Sequence, residues 1–527
     1  MLLFVILVLV LSFPSVQTSL AQKVTKLVND DFGTKIHIDR IGLKFNGDVA
    51  LKQIYIEDYK NDTLIGINEL NTSVLSFRNL YNNKLTFGDV DINGLVFNIK
   101  TYKGETKTNL DEFIAKFEED NPKVDSKPFL LSSSDISVYD GTFRLIDENK
   151  EKPKIIEFDK LYLNATNFLI KKTDISVRIN NLAFIDSRGV VVKNMVANFD
   201  YTPTHLYFDN LKIATANSNL NGKVRFDYEV GGIKDLTNKA RVDAVFRDSE
   251  VFLDEMNTIY NEFGTDQKVF LNVALSGTLN DLYAENLKMT TNSRTRIYGD
   301  IKFKNLFNTE EGNFELDGKF DNLSSNYFDL KALLPNILGE SIPTVFSKLG
   351  DFTLVGDTNI TSYQIVSDFE ISTEIGDIIA DLKMSEIDNV DSASYEGKLI
   401  FQDFDLGVLL NDPTVGEASF DVDVSGKGFT IDNIKTNVSG EVFYLTYNNY
   451  VYNDIFIEGE LGNKIFNGNL VSEDDNFKIK FDGLADLSKN PKTMDFNAEV
   501  IYADLNALNF VSRDSISVFK GKIAMSM

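Results

Sequence analysis

The sequence predicts an all-β protein: an elongated, curled, repeat-like sheet forming a trough with a hydrophobic groove. Few short helices and an N-terminal membrane helix are expected beside it. The first observation behind this is strict alternation. Phe420-Asp421-Val422-Asp423-Val424-Ser425-Gly426, Phe477-Lys478-Ile479-Lys480-Phe481-Asp482-Gly483 and Val224-Arg225-Phe226-Asp227-Tyr228 switch between apolar and polar at every step. Successive strand side chains point to opposite faces, so each segment has one apolar and one wet face. The second observation is extent, since the pattern recurs from about Lys35 to Met527. Roughly 30 strands at ~4.8 Å would make a ribbon on the order of 140 Å long. An open sheet of that size curls, splits or needs covering. With few helices available, folding along its length shields the apolar face. Phe420, Val422, Val424, Phe477, Ile479 and Phe481 are the candidate groove-lining residues, while Asp421 and Asp423 should face water.

Taken in order, the chain opens on Leu2, Leu3, Phe4, Val5, Ile6, Leu7, Val8, Leu9, Val10, Leu11 and Phe13, a run broken by Ser12 and ended by Pro14. As a helix it spans about 18 Å, short of the roughly 30 Å hydrocarbon core. Residues 1–16 therefore read as a membrane anchor or a signal segment, with Ser19-Leu20-Ala21 as a small-x-small cleavage site. Either reading sends the chain out of the cytoplasm.

The alternation through Ile36, Ile38, Ile41, Leu43 and Phe45 slips phase at Asp39-Arg40, as a bulge or bend requires. Strands are expected over 49–56, 85–99, 136–145, 155–168, 175–184, 190–199 and 206–213. They resume over 240–246, 269–279, 295–303, 314–320, 365–371, 378–384 and 395–401, and continue beyond. All nine Pro lie outside these runs, since Pro cannot donate to a ladder. Gly277, Gly318, Gly459 and Gly483 recur at one place in the alternation, which suggests a sheet bent the same way many times. Helices are expected over 109–120 and 251–263. Asp-Leu-x-x-Leu recurs at Asp329, Asp405 and Asp504, as an N-capped helical turn after a strand. Residues 123–127 are the one plausible linker.

Composition excludes several functions. A 43% hydrophobic fraction with 41 Phe and 20 Tyr argues against disorder. Absence of Cys excludes disulfides, thiolate metal sites and thiol catalysis. A net charge of −26 repels phosphate backbones and anionic headgroups, so nucleic acid is not a partner and any lipid contact must be apolar. His37 and His205 read as ordinary strand residues. Phosphate loops, nucleophile elbows and zinc-protease motifs are missing from the sequence. Glu118-Glu119-Asp120 and Glu473-Asp474-Asp475 lack calcium-loop spacing and read as solvated ends of elements. No enzyme, metal or cofactor is expected.

Several segments together resemble TamB proteins, within the wider AsmA-like group, over essentially the whole chain. They are Leu11 to Gln17, Phe32-Gly33-Thr34, Ile38-Asp39-Arg40-Ile41-Gly42-Leu43, Asp62-Thr63-Leu64-Ile65 and Lys100-Thr101-Tyr102-Lys103-Gly104. Ser324-Ser325-Asn326-Tyr327, Leu333-Leu334-Pro335-Asn336 and Asp514-Ser515-Ile516-Ser517 continue the match. The resemblance implies an uncleaved inner-membrane anchor at residues 1–16 and a periplasmic, taco-shaped β structure over 17–527. It implies phospholipid passage or outer-membrane protein assembly as the role, with phospholipid acyl chains as ligand. It also implies a C-terminal domain that meets a BamA-like barrel, TamA or a related lipoprotein. Two departures stand out: basic residues before the anchor are missing, and the chain stops in mid-pattern, so that C-terminal domain is expected to be missing here. Rivals are a chaperone-like scaffold acting by strand addition, an adhesin of tandem sandwiches and a polysaccharide-degrading enzyme. Regular ~100-residue boundaries and Trp, which the last two call for, are both lacking.

Overall fold

Branched and aromatic side chains at every second position favour a half-buried pleated surface, and strand dominates the described chain. The computed structural model describes residues 13–43, 48–74, 84–117, 130–229, 237–259, 261–306, 314–335, 344–387, 393–428, 433–462, 465–486, 488, 493–512 and 517–526. They fall into two compact units, Met1–Asn261 with Ala274–Leu279, and Glu262–Val273 with Asn280–Met527.

The first unit carries β1 (Ile36–Leu43), β2 (Val49–Glu57), β3 (Thr63–Val74), β4 (Lys84–Thr101), β5 (Leu130–Asp147) and β6 (Lys154–Lys171). It continues with β7 (Asp174–Asp186), β8 (Val191–Thr202), β9 (His205–Thr215), β10 (Asn219–Asp227) and β11 (Arg241–Phe252). β12 (Lys268–Gly277) falls at the division. The second unit carries β13 (Leu282–Thr291), β14 (Arg296–Lys304), β15 (Glu315–Asn326), β16 (Asp351–Thr361), β17 (Gln364–Thr373), β18 (Gly376–Ser385) and β19 (Ser394–Asp405). Then follow β20 (Val415–Lys427), β21 (Lys435–Tyr447), β22 (Tyr450–Gly462), β23 (Ile465–Glu473), β24 (Phe477–Asp486), β25 (Thr493–Asp504) and β26 (Val518–Ser526).

Within each unit a strand pairs with its sequence neighbours, antiparallel throughout except for the parallel pair β4–β5. Among the described residues β1 pairs only with β2 and β26 only with β25, so the sheet is open rather than closed into a barrel. The parallel pair needs a crossover, and the described part of that connection holds α2. A buried carboxylate locks it: Asp58, 2% exposed, accepts hydrogen bonds from Tyr102 Oη (2.6 Å), Asn109 Nδ2 (3.1 Å) and the amides of Lys60 and Asp62.

Among the described residues the α-helices are α1 (Pro14–Phe32), α2 (Asn109–Ile114), α3 (Leu253–Asn257), α4 (Tyr327–Leu333) and α5 (Leu406–Leu410). α1 was not anticipated. Pro14 starts it at a position that needs no donor, and Gly33 ends it at φ 64°, donating to the Asn29 carbonyl. Asn29 then holds β1 through hydrogen bonds with both the amide and the carbonyl of Ile36. Ser19-Leu20-Ala21 lies inside α1, where Ala21 is fully buried. Among the described residues no helix is long and apolar enough to cross a membrane. Residues 1–12, which carry nearly all of the expected anchor, lie outside the described residues, and Phe13 stands exposed just before α1.

Other expectations need correcting. Asp39 and Arg40 are both exposed, so the phase slips, yet the β1–β2 register runs unbroken through them. The distortion sits opposite, at Gln53 with φ 49°. The expected helix over 109–120 appears as α2 continued by a 3-10 turn, Ala115–Phe117, with 118–120 outside the described residues. α3 is shorter than the expected 251–263, because β11 and turns claim the flanking backbone. Asn326, not Asp329, caps α4, whereas Asp405 does cap α5. Asp504 caps only a turn, accepting from the amides of Asn506 and Ala507. β3, β13 and β16 were missed, since Asn and Thr interrupt their alternation. Residues 118–129, with the expected linker and the first acidic cluster, lie outside the described residues.

Candidate functional site

Residues directly opposite on neighbouring strands share a face, so the pairing register shows what each face presents. In the second unit one row runs Leu287, Gly299, Phe320, Gly356, Phe369, Ala380, Leu399, Val422. It continues through Gly440, Ile457, Leu470, Phe481, Ala498 and Ile523 on β26. A parallel row runs Met289, Ile297, Leu323, Leu354, Ile371, Ile378, Phe401, Phe420, Val442, Ile455, Ser472, Ile479 and Val500. Ser472 is the single polar member, and its hydroxyl is spent on the Phe477 carbonyl (2.8 Å). An apolar stripe thus crosses every strand from β13 to β25. The first unit has a counterpart in Ile41, Leu51, Leu70, Ile92, Val138, Leu163, Leu182, Met195, Ile213 and Leu220.

Creases, glycines in unusual backbone conformations, punctuate the stripe of the second unit. Gly299, Gly356, Gly397 and Gly483 hold φ of 150°, 140°, 145° and 134°, a region L side chains rarely adopt. A Cβ added at Gly299, Gly356 or Gly397 would lie 2.0 Å from the carbonyl oxygen of the neighbouring strand. Gly397 continues across the ladders as Val424, Val438, Gly459, Gly468 and Gly483. Small residues here let adjacent backbones approach where the sheet bends. Phe320 stands between Gly299 and Gly356, and Phe496 opposite Gly483, covering what the glycines leave bare.

All six residues predicted to line a groove share this face. Phe420, Val422 and Val424 sit together: Val422, Val424 and Val438 form a buried cluster against which Phe420, Leu399 and Ile457 pack. Phe420 also stacks on Phe401 at 4.6 Å. Phe477 and Ile479 pack on a second cluster built from Tyr452, Ile455, Val500, Ala503 and Leu508. Phe481 lies 5.0 Å from Phe496 and 5.8 Å from Phe466. Many residues of the stripe are only half-buried, Phe369, Phe481 and Leu470 among them. The opposite face carries cross-strand ion pairs, Lys398–Asp421 (2.9 Å), Lys383–Glu396 (3.1 Å) and Lys304–Glu315 (2.9 Å), beside a row of acids, Asp357, Asp368 and Asp381. Lys304 holds the Glu315 carboxyl below its ordinary range.

The residues weighed for catalysis occupy structural positions. His37 is exposed, 3.9 Å from Glu57, and His205 Nδ1 meets the Thr202 hydroxyl at 2.9 Å. Asp474 is buried as a turn clamp, accepting from Tyr450 Oη (2.7 Å) and from the amides of Asn453 and Asn476. Burial, reinforced by that bond, pushes the Tyr450 hydroxyl up to about 12. Among the described residues no group of His, Asp and Glu is arranged to hold a metal ion. Gly299, Gly356, Gly397, Gly440 and Gly468 were not singled out from sequence, although a Gly after alternating residues was the right signal. The sequence matches no protein-family model and no curated protein.

Proposed function

We propose that this chain is a non-enzymatic envelope-biogenesis protein that carries phospholipid acyl chains along the apolar face of its sheet. In this reading the creased sheet is a trough, the chain is held at the inner membrane, and a following C-terminal part meets a BamA-like barrel. The observation that carries the reading is the apolar stripe from β13 to β25 (Met289 to Val500), polar only at Ser472 and backed by a charged face. Alternation confined to a core would not need glycine at every place where the stripe creases.

Lipid transfer between vesicles tests it. Val422→Glu strands a charge among hydrocarbon at a cost of several kcal/mol and should stop transfer, provided circular dichroism shows a folded chain. Asp423→Lys, on the exposed face, should leave transfer intact. Asp421 is the poorer control, because its partner Lys398 would then face a second lysine. A folded Val422→Glu protein that transfers lipid at the parent rate defeats the reading.

One observation favours a chaperone-like scaffold instead. On the edge strand β26, Val518, Phe519, Ile523 and Met525 are 38–44% exposed, a surface suited to strand addition. Crosslinking of an unfolded outer-membrane protein to β26, with no lipid transfer, would establish that alternative.

A further inference from the structure

We propose that the polar cavity at the ends of β14–β17 is a headgroup site for a zwitterionic phosphodiester, a phosphate carrying a primary ammonium. The cavity, about 450 Å³, is walled by Arg294, Arg296, Asp351 and Glu374 with the hydroxyls of Ser324 and Thr353. Arg294 and Arg296 are the only arginines between Glu262 and Arg513, and both stand here. Arg294 is spent on Asp351 at 2.7 Å. Arg296 and Glu374 have no partner of opposite charge among the described residues. One wall therefore offers a free guanidinium, suited to two phosphate oxygens at once, and another a free carboxylate, suited to an ammonium. Arg296, Ser324, Thr353 and Ser372 are successive cross-strand partners, so hydroxyls span the about 14 Å from Arg296 to Ser372 (three ladder spacings), with Ser324 itself donating to Asn322 Oδ1 at 2.8 Å. A bare anion would meet repulsion from Glu374, and a bare cation from Arg296; a ligand carrying both charges satisfies both.

The site also lies where a headgroup must lie if acyl chains occupy the stripe. Ile297, Leu323, Leu354 and Ile371 of the apolar row are each one residue from Arg296, Ser324, Thr353 and Ser372, on the other face. At the strand ends the two faces meet, so a lipid held by its head here can lay its chains over the rim. In ligand class the inference rests on the lipid-carrying reading; the charges and cavity stand independently of it.

Calorimetric titration of the folded chain with glycerophosphoethanolamine, glycerophosphoglycerol and inorganic phosphate tests it. None of these probes has an acyl chain, so failure here leaves vesicle transfer, and the groove, untouched. Glycerophosphoethanolamine should bind best. Arg296→Gln should weaken it about tenfold or more, the loss of one charge-assisted contact. Glu374→Gln should abolish the preference over glycerophosphoglycerol while leaving the fold unchanged by circular dichroism. No binding at millimolar probe, equal binding of all three probes, or binding indifferent to both substitutions would each overturn the proposal.

Discussion

Gly356→Ala probes the crease most directly. Gly356 sits opposite Phe320 on one side and Phe369 on the other, at φ 140°. Forcing a residue with a side chain into so sparsely populated a conformation costs about 1–3 kcal/mol. The new methyl would lie 2.0 Å from the Asp368 carbonyl oxygen and 3.0 Å from Phe369 Cα, both backbone atoms that cannot swing away. Overpacking of this kind adds about 1–3 kcal/mol, for a total of about 2–6 kcal/mol and a midpoint of about 4 kcal/mol. Against a domain stability of roughly 5–15 kcal/mol, that is a large fraction. With a urea slope of about 2 kcal/mol/M, the transition of the second unit should move down by about 2 M. Gly462→Ala is the control: the nearest atom to its added methyl is 3.5 Å away, so it should shift stability by less than about 0.5 kcal/mol. Urea titration followed by circular dichroism compares them. Equal midpoints for the two variants would refute the claim that the crease depends on backbone approach at glycine.

Alkaline and acid titrations give two more outcomes. Tyr450 is raised in the folded state, so its bond to Asp474 stabilises below the unfolded value of about 10 and is lost as pH rises through about 12. Tyrosinate absorbance should show that late step, and Tyr450→Phe should lower its amplitude by one tyrosine, since Tyr59, Tyr102 and Tyr228 are raised as well. The Arg188 guanidinium holds the buried Asp186 carboxyl below its ordinary range. That contribution is present above about pH 3.9 and lost as pH falls through the lower folded value, so Asp186→Asn should flatten the acid limb of the melting-temperature profile. Asp405→Ala, which removes the α5 cap donated to by the Val408 amide at 3.0 Å, should cost about 1 kcal/mol by thermal melting.

Strand identity was legible wherever alternation was strict. Val422 and Val424 are buried and Asp423 exposed, as the pattern of Phe420–Val424 requires. The common face of Phe420, Val422, Val424, Phe477, Ile479 and Phe481 followed from period alone, because antiparallel pairing preserves it. Strands such as β16 were harder: Val355 on the polar face, and Gly356 and Thr358 on the apolar one, break the alternation that pairing nevertheless imposes on the backbone. The α1 helix was hidden because its start at Pro14 also reads as the stop of the apolar run before it. The polar cavity was illegible, since Arg294, Asp351 and Glu374 are brought together only by ladders spanning β14 to β17. No local spacing records such a juxtaposition.

Pairing almost wholly between sequence neighbours has a consequence for how this chain acquires its structure. A strand that hydrogen-bonds to the one made just before it closes only a short loop, which is entropically cheap. Each new strand can therefore dock as it emerges, on a template already in place, in the nearest-neighbour manner of repeat proteins. The longest steps are from β15 to β16, across residues 327–350, and the parallel step from β4 to β5, where the chain must traverse residues 102–129 before β5 finds its partner. Assembly of the first unit should pause there, with the edge of β4 exposed until the crossover and the Asp58–Tyr102–Asn109 lock are complete.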